Sequence, residues 1–241
     1  MPDSLKRRGK HPQDEAAFHQ DCVPRLLAAS ADLAWLKSRG YADPSSLKLV
    51  GDRYHLNSRQ RTAVARSTCS DQQLQSRRER LIPHSDIKDR TVYIDGFNLL
   101  TSIEAYLGQG ILLIGRDGVL RDMSSMHGNY RVLEDTKKAI DVVHRFLAPF
   151  QPGTLHWLLD QPVSNSGRLK SILLQTSASF PVEVELVPDP DKILRDLTTS
   201  DKNPCITADS GILDHCGYWL NTAREITSSL SFGDRIVIDF S

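Results

Sequence analysis

The 241-residue chain carries 30 Lys+Arg against 30 Asp+Glu, with 39% hydrophobic and 7% aromatic residues. That composition is ordinary for a soluble globular protein, long enough for one large domain or two modest ones, and no apolar stretch nears the roughly 20 residues that span a bilayer, so no membrane partner is expected. The neutral total hides a partition: residues 1–90 hold 17 Lys+Arg against 11 Asp+Glu, whereas residues 91–241 hold 13 against 19.

The start, Met1 to Arg8, is not followed by an apolar core, so it does not read as a secretory signal. Apolar residues from Gln13 to Ser38 (Ala17, Val23, Leu26, Leu27, Leu33, Ala34, Leu36) recur at helical spacing, with Pro24 expected to divide the run and Gly40 to cap it. Asp43-Pro44-Ser45-Ser46 reads as a turn or a helix start, and Asn57 or Ser58 caps a further helix through Arg66. Ser70 to Arg80 is strongly polar and reads as a helix or a linker. Pro83 and Ser85 place a boundary near residue 85. The head, residues 1–85, is thus a small basic all-α domain. Its cations, Lys6-Arg7-Arg8, Arg59, Arg61, Arg66 and Arg77, are candidates to grip phosphates without reading sequence. A merely solvated helical surface is the competing reading.

Residues 86–241 alternate in character. Strands are predicted at 91–95, 154–159, 182–187, 204–207, 218–220 and 235–240, with helices at 134–148, 165–177, 190–197, 209–215 and 222–230. The segment 99–128 reads as irregular, apart from a hairpin turning at Gly115-Arg116-Asp117-Gly118. Strands separated by helices predict a mostly parallel α/β sheet. The four cysteines, Cys22, Cys69, Cys205 and Cys216, form no close pair and fit a reducing, cytoplasmic setting; Cys205, His215 and Cys216 lack structural-zinc spacing. No phosphate-binding glycine loop or nucleophile elbow is present, which disfavours an NTPase, a dinucleotide enzyme or a serine hydrolase.

Apolar runs end in a carboxylate at four places: Asp95 after Val92-Tyr93-Ile94, Asp160 after Leu158-Leu159, Asp189 and Asp191 after Leu186-Val187-Pro188, and Asp209 after Ile206-Thr207-Ala208. In a parallel sheet these ends share one edge. Gathered carboxylates there suit a hard cation, Mg2+ or Mn2+, which activates water and binds phosphate oxygens. A single aspartate after a strand also reads as a helix N-cap; Asp95, followed by Gly96 and Asn98 without a clear amphipathic helix, is the least cap-like.

The run Ile94-Asp95-Gly96-Phe97-Asn98-Leu99-Leu100 resembles the opening motif of PIN-like nucleases, especially their NYN and YacP-like branches. Ile206-Thr207-Ala208-Asp209-Ser210-Gly211 resembles their later strand end, and Pro188-Asp189-Pro190-Asp191 the acidic helix start before it. Asp160-Gln161 falls where these families often carry Asp-Gly. The resemblance covers about residues 90–240, and the head is similar to that of an uncharacterised prokaryotic two-domain family with a basic helical domain before a PIN-like one. It implies a PIN-like fold and a metal-dependent ribonuclease. Asp95 and Asp209 would be core metal ligands, Asp191 or Asp189 would complete the set, Asp160 would act at its periphery, and Asn98 and Thr207 would orient the carboxylates. RNA is favoured over DNA through this resemblance alone. A non-catalytic nucleic-acid-binding or scaffolding protein and a metal-dependent small-molecule phosphohydrolase are the alternatives.

Overall fold

The computed structural model describes residues 7–123, 130–197, 199–230, 233 and 235–241. Lys6 of the basic run lies outside them. The N-terminal region is helical: α1 (Asp14–Ala17), α2 (Val23–Ser38), α3 (Asp43–Arg53), α4 (Ser58–Ser67) and α5 (Asp71–Arg80). The break before α2 falls at residues 18–22, and Pro24 sits in the first turn of α2, where its missing N–H is harmless. Gly40 takes φ +79° just past the end of α2, a conformation that favours glycine. Reciprocal capping boxes start α4 (Asn57 with Gln60) and α5 (Ser70 with Gln73), so the polar stretch from Ser70 is a helix rather than a linker.

Five strands, β1 (Thr91–Asp95), β4 (Thr154–Asp160), β5 (Val182–Val187), β6 (Cys205–Ile206) and β7 (Trp219–Leu220), form an all-parallel sheet ordered β5-β4-β1-β6-β7. The helices between and beside these strands are α6 (Gly96–Leu107), α7 (Thr136–Leu147), α8 (Ser166–Gln175), α9 (Pro190–Asp196), α10 (Ser210–Leu213) and α11 (Thr222–Ser229). The remaining strands, β2 (Leu112–Ile114), β3 (Leu120–Asp122) and β8 (Val237–Asp239), make a second sheet ordered β3-β2-β8. Here β2 and β3 are the expected hairpin, turning through Gly118 at φ +74°, while the last strand runs parallel to β2 rather than joining the large sheet.

Two differences from the sequence reading matter for the site. Residues 96–107 form α6 instead of irregular chain. Every residue from Gly96 to Tyr106 except Asn98 is buried, and the short polar stripe of Asn98, Thr101 and Ser102 lines a cavity rather than a solvated face. The helical head also does not stand apart. Its apolar residues Ala17, Leu26, Leu33, Val50 and Val64 share one core with Leu113, Ile238 and Phe240 of the second sheet.

Candidate active site

The chain runs from β1 through β4 to β5 on one side, then returns to β6 and β7 on the other, so the strand order reverses between β1 and β6. Open α/β sheets place ligands outside the carboxyl ends of the strands at such a reversal. A cavity of about 520 Å3 lies there, and Asp95, Asp160, Asp191 and Asp209 all line it, with Asn98 on its wall.

Asp95 is the last residue of β1 and the N-cap of α6, its Oδ1 accepting the backbone N–H of Asn98. Its second oxygen accepts from Asn98 Nδ2 at 2.5 Å and from Thr207 Oγ1 at 2.7 Å. The least cap-like aspartate of the sequence reading is therefore a cap, in addition to lining the cavity. Gly96 lets α6 start this close to the sheet: a Cβ there would lie 2.4 Å from Leu159 Cδ2 and 3.0 Å from the Leu158 carbonyl oxygen. Asp95 is 5% exposed. Burial pushes its carboxyl up to about 7, the hydrogen bonds from Thr207 and Asn98 oppose the shift, and the charges of Asp191 and Asp209 add to it.

Asp209 caps α10 through the Ile212 N–H at 3.0 Å, and its own N–H donates to Thr207 Oγ1 at 3.0 Å. Thr207 thereby ties Asp209's backbone to Asp95's carboxylate. Asp160 ends β4 and caps no helix, since α8 begins after Asn165. Burial and then the charge of Asp189 raise its carboxyl. Asp191 stands in the first turn of α9, and burial followed by Asp209, Asp160 and Asp189 raises its carboxyl too. Asp189 departs from the expected ligand role. It is exposed, caps α9 through the Lys192 N–H at 2.9 Å and does not line the cavity. Of the two carboxylates, Asp191 lines the cavity.

The donors on this wall are carboxylate and amide oxygens, the set that suits Mg2+ or Mn2+. Asp95 in particular is buried among like charges that a cation would relieve. The fit is one of chemistry and placement: among the described residues no group of three or more His, Cys, Asp or Glu side chains is disposed to hold a metal ion as it stands.

The basic residues fall differently from the single phosphate-gripping face expected of the head. Arg59 pairs with Asp14 at 2.5 Å, and Arg61 donates to Asp52 at 2.7 Å and to the Leu56 carbonyl at 2.9 Å. Arg77 is 2% exposed and cannot meet a polyanion. It donates to Asp214 and is paired with Asp117, and Asp117 in turn receives both Nη1 (2.8 Å) and Nη2 (2.7 Å) of Arg121. Burial is the largest single influence on Asp117 and opposes its charge, yet Arg121 and Arg77 hold its carboxyl well below the usual range. The network acts on the site: Arg121 donates to the Ala208 carbonyl at 3.0 Å and Ser210 Oγ at 3.3 Å, and Arg77 to the Ser210 carbonyl at 3.3 Å. Head and hairpin thus clamp the loop that carries Asp209. Sequence reasoning missed Arg121 and Asp117; the only signal was a charged hairpin turn inside an apolar segment. Of Arg59, Arg61, Arg66 and Arg77, Arg66 alone lines the cavity.

Cys205 and Cys216 are buried, and all four cysteines are free thiols. No helix among the described residues is long and apolar enough to cross a membrane.

An α/β chain with an acidic cavity at its strand reversal is the class that fold and site define. The chain belongs to the family described as Domain of unknown function (DUF5616), whose model matches residues 84–225. Residues 25–80 match a second model, Protein of unknown function (DUF434). The chain is 31% identical over 158 residues to Uncharacterized protein MJ0935 of Methanocaldococcus jannaschii, covering 66% of this chain and 76% of that protein. No solved structure matches the chain at significant similarity.

Proposed function

We propose that this protein is a PIN-like, divalent-cation-dependent ribonuclease whose site is the acidic cavity at the carboxyl ends of β1, β4, β5 and β6. One observation carries the reading: four aspartates, distant in sequence and delivered by four strand ends, line one cavity. Capping alone does not account for this, because Asp160 and Asp191 cap nothing; burial first, and neighbouring carboxylates after it, raise the carboxyls of Asp95, Asp160 and Asp191. Asp95, Asp209 and Asp191 would hold the cation, with Asp160 at the periphery. When bound, Mg2+ or Mn2+ would supply Lewis acidity and lower the pKa of a bound water.

The chain's own residues then have separate tasks. Asn98 and Thr207 fix the rotamer of Asp95, leaving its carboxylate turned to the cavity. Thr207 also holds the backbone of Asp209, so the two central carboxylates share one brace. Arg121 and Arg77 hold the 208–210 loop from behind. The choice of RNA rests on the motif resemblance at residues 94–100 and 206–211.

The test is cleavage of mixed single-stranded and structured RNAs with Mn2+, comparing the parent with Asp95→Asn and Asp209→Asn. The reading expects cleavage that both variants abolish. A second reading, a nucleic-acid-binding module without catalysis, is favoured by the lack, among the described residues, of a group of three or more His, Cys, Asp or Glu side chains disposed to hold a metal. RNA binding without cleavage, unchanged in both variants, would select it.

A further inference from the structure

Arg66 lies on α4 of the helical head, yet its side chain lines the same cavity as Asp95, Asp160, Asp191 and Asp209. Three hydrogen bonds seat the end of α4 against the β2–β3 hairpin. Arg66 Nη1 donates to the Asp122 carbonyl at 2.7 Å, the Arg116 N–H to the Ser67 carbonyl at 2.8 Å, and Arg116 Nη1 to the Cys69 carbonyl at 3.0 Å. The guanidinium is therefore placed before any ligand arrives. Arg121, also on the cavity wall, is 6% exposed and committed to Asp117 and the Ala208 carbonyl, so it braces the loop. Arg66 is partly exposed.

A phosphodiester entering a wall that carries five aspartates, Asp95, Asp160, Asp191, Asp209 and Asp122, is repelled unless cations compensate. A bound divalent ion supplies part of that compensation. A guanidinium opposite it supplies the rest, with N–H donors in a fork that matches phosphate oxygens. We infer that Arg66 is the phosphate-gripping residue of this cavity, so that the binding site is a composite of the helical head and the α/β region. The ligand is the backbone of a nucleic-acid strand: about 520 Å3 is the size of a small-ligand pocket, which admits a nucleotide unit. The inference rests on the nuclease reading of the same cavity. It also changes the expected part played by the head, which contributes one wall arginine rather than a separate docking face.

The experiment uses the full chain. Binding of a fluorescein-labelled single-stranded RNA is followed by anisotropy across a salt series, with Ca2+ replacing Mn2+ and strand integrity checked on gels. Proteins compared are the parent, Arg66→Ala, Arg66→Lys, and Lys48→Ala on exposed α3 as a control for surface charge. Arg66→Gln replaces the alanine variant if that melts early. Arg66→Ala is expected to weaken binding about tenfold and flatten the salt dependence by about one phosphate contact. Arg66→Lys should recover part of the loss, Lys48→Ala should match the parent, and Mn2+ affinity should be retained in Arg66→Ala. Equal binding by parent and Arg66→Ala overturns the inference, as does an equal loss in Lys48→Ala or no binding by the parent. If the parent cleaves RNA while Arg66→Ala binds normally, the inference fails and the nuclease reading stands. If RNA binding depends on Arg66 but the protein neither binds Mn2+ nor cleaves, the nuclease reading fails and the grip stands.

Discussion

Asp95→Asn should make the metal-free protein more stable while removing its function. Asp95 is 5% exposed, and its carboxyl is pushed from 3.8 to about 7 by burial, with the charges of Asp191 and Asp209 adding to it. In this window the folded protein binds the proton more tightly than the unfolded chain. The contribution is therefore fully present below about pH 4, is lost as pH rises toward 7, and levels off above that. A shift of about 3 units at 1.36 kcal/mol each sets a ceiling of about 4 kcal/mol on the cost of ionising Asp95 in place. Water in the cavity relieves part of it, so the gain from neutralising the side chain should be ~2–4 kcal/mol, or roughly 5–10 °C in Tm for a chain of this size. Asparagine keeps the N-cap, and the Thr207 hydroxyl and Asn98 amide can turn to meet its amide group. The assay is thermal unfolding in EDTA at pH 5, 6, 7 and 8. The Tm difference between variant and parent should be clearly smaller at pH 5 than at pH 7, where it nears its full size. A difference that is negative, or flat across that range, would refute the argument that Asp95 is held at an electrostatic cost.

Other substitutions probe the brace and the close approach at the site. Asp117→Asn removes the shared partner of Arg77 and Arg121, leaving buried Arg121 without its carboxylate and Arg77 with Asp214 alone; urea denaturation should show a loss of about 3–5 kcal/mol. Because the Asp117 carboxyl is held low in the folded state, its contribution is present above about pH 4 and is lost as pH falls, so the variant should also lack part of the parent's acid unfolding. Gly96→Ala sets a methyl 3.0 Å from the Leu158 carbonyl oxygen, and should cost about 1–3 kcal/mol by the same denaturation measurement.

Much of the frame was legible because its determinants are local. The apolar run at Val92-Tyr93-Ile94, the capping residue Asn57 and the turn at Gly115 to Gly118 each announce their structure within a few residues. The mostly parallel sheet followed from the alternation of strands and helices. What stayed hidden depends on partners far along the chain. Helix α6 is buried almost all round, and its short polar stripe of Asn98, Thr101 and Ser102 lines the cavity instead of facing solvent. Arg77 looks like a solvated charge on a polar helix until Asp117 and Asp214 are brought against it. The final strand's pairing with β2 joins segments more than a hundred residues apart. At the site, the sequence pattern named Asp95, Asp160, Asp191 and Asp209 but missed Asp122, which reaches the cavity wall from the end of β3, and it could not choose between Asp189 and Asp191. That choice depends on which of them spends its carboxylate on the α9 N-terminus. Nor could it place Arg66 on the cavity wall, since that depends on how α4 docks on the hairpin.

The central claim is that strand ends distant in sequence supply the ligands of one divalent cation. Titration of the metal-free protein with Mn2+, followed by electron paramagnetic resonance of the free ion, tests it most directly when parent, Asp95→Asn, Asp191→Asn and Asp209→Asn are compared. The account predicts one site per chain in the parent, abolished by Asp95→Asn or Asp209→Asn and weakened by Asp191→Asn. A parent that leaves Mn2+ free, or that binds it equally well in all three variants, would contradict the account.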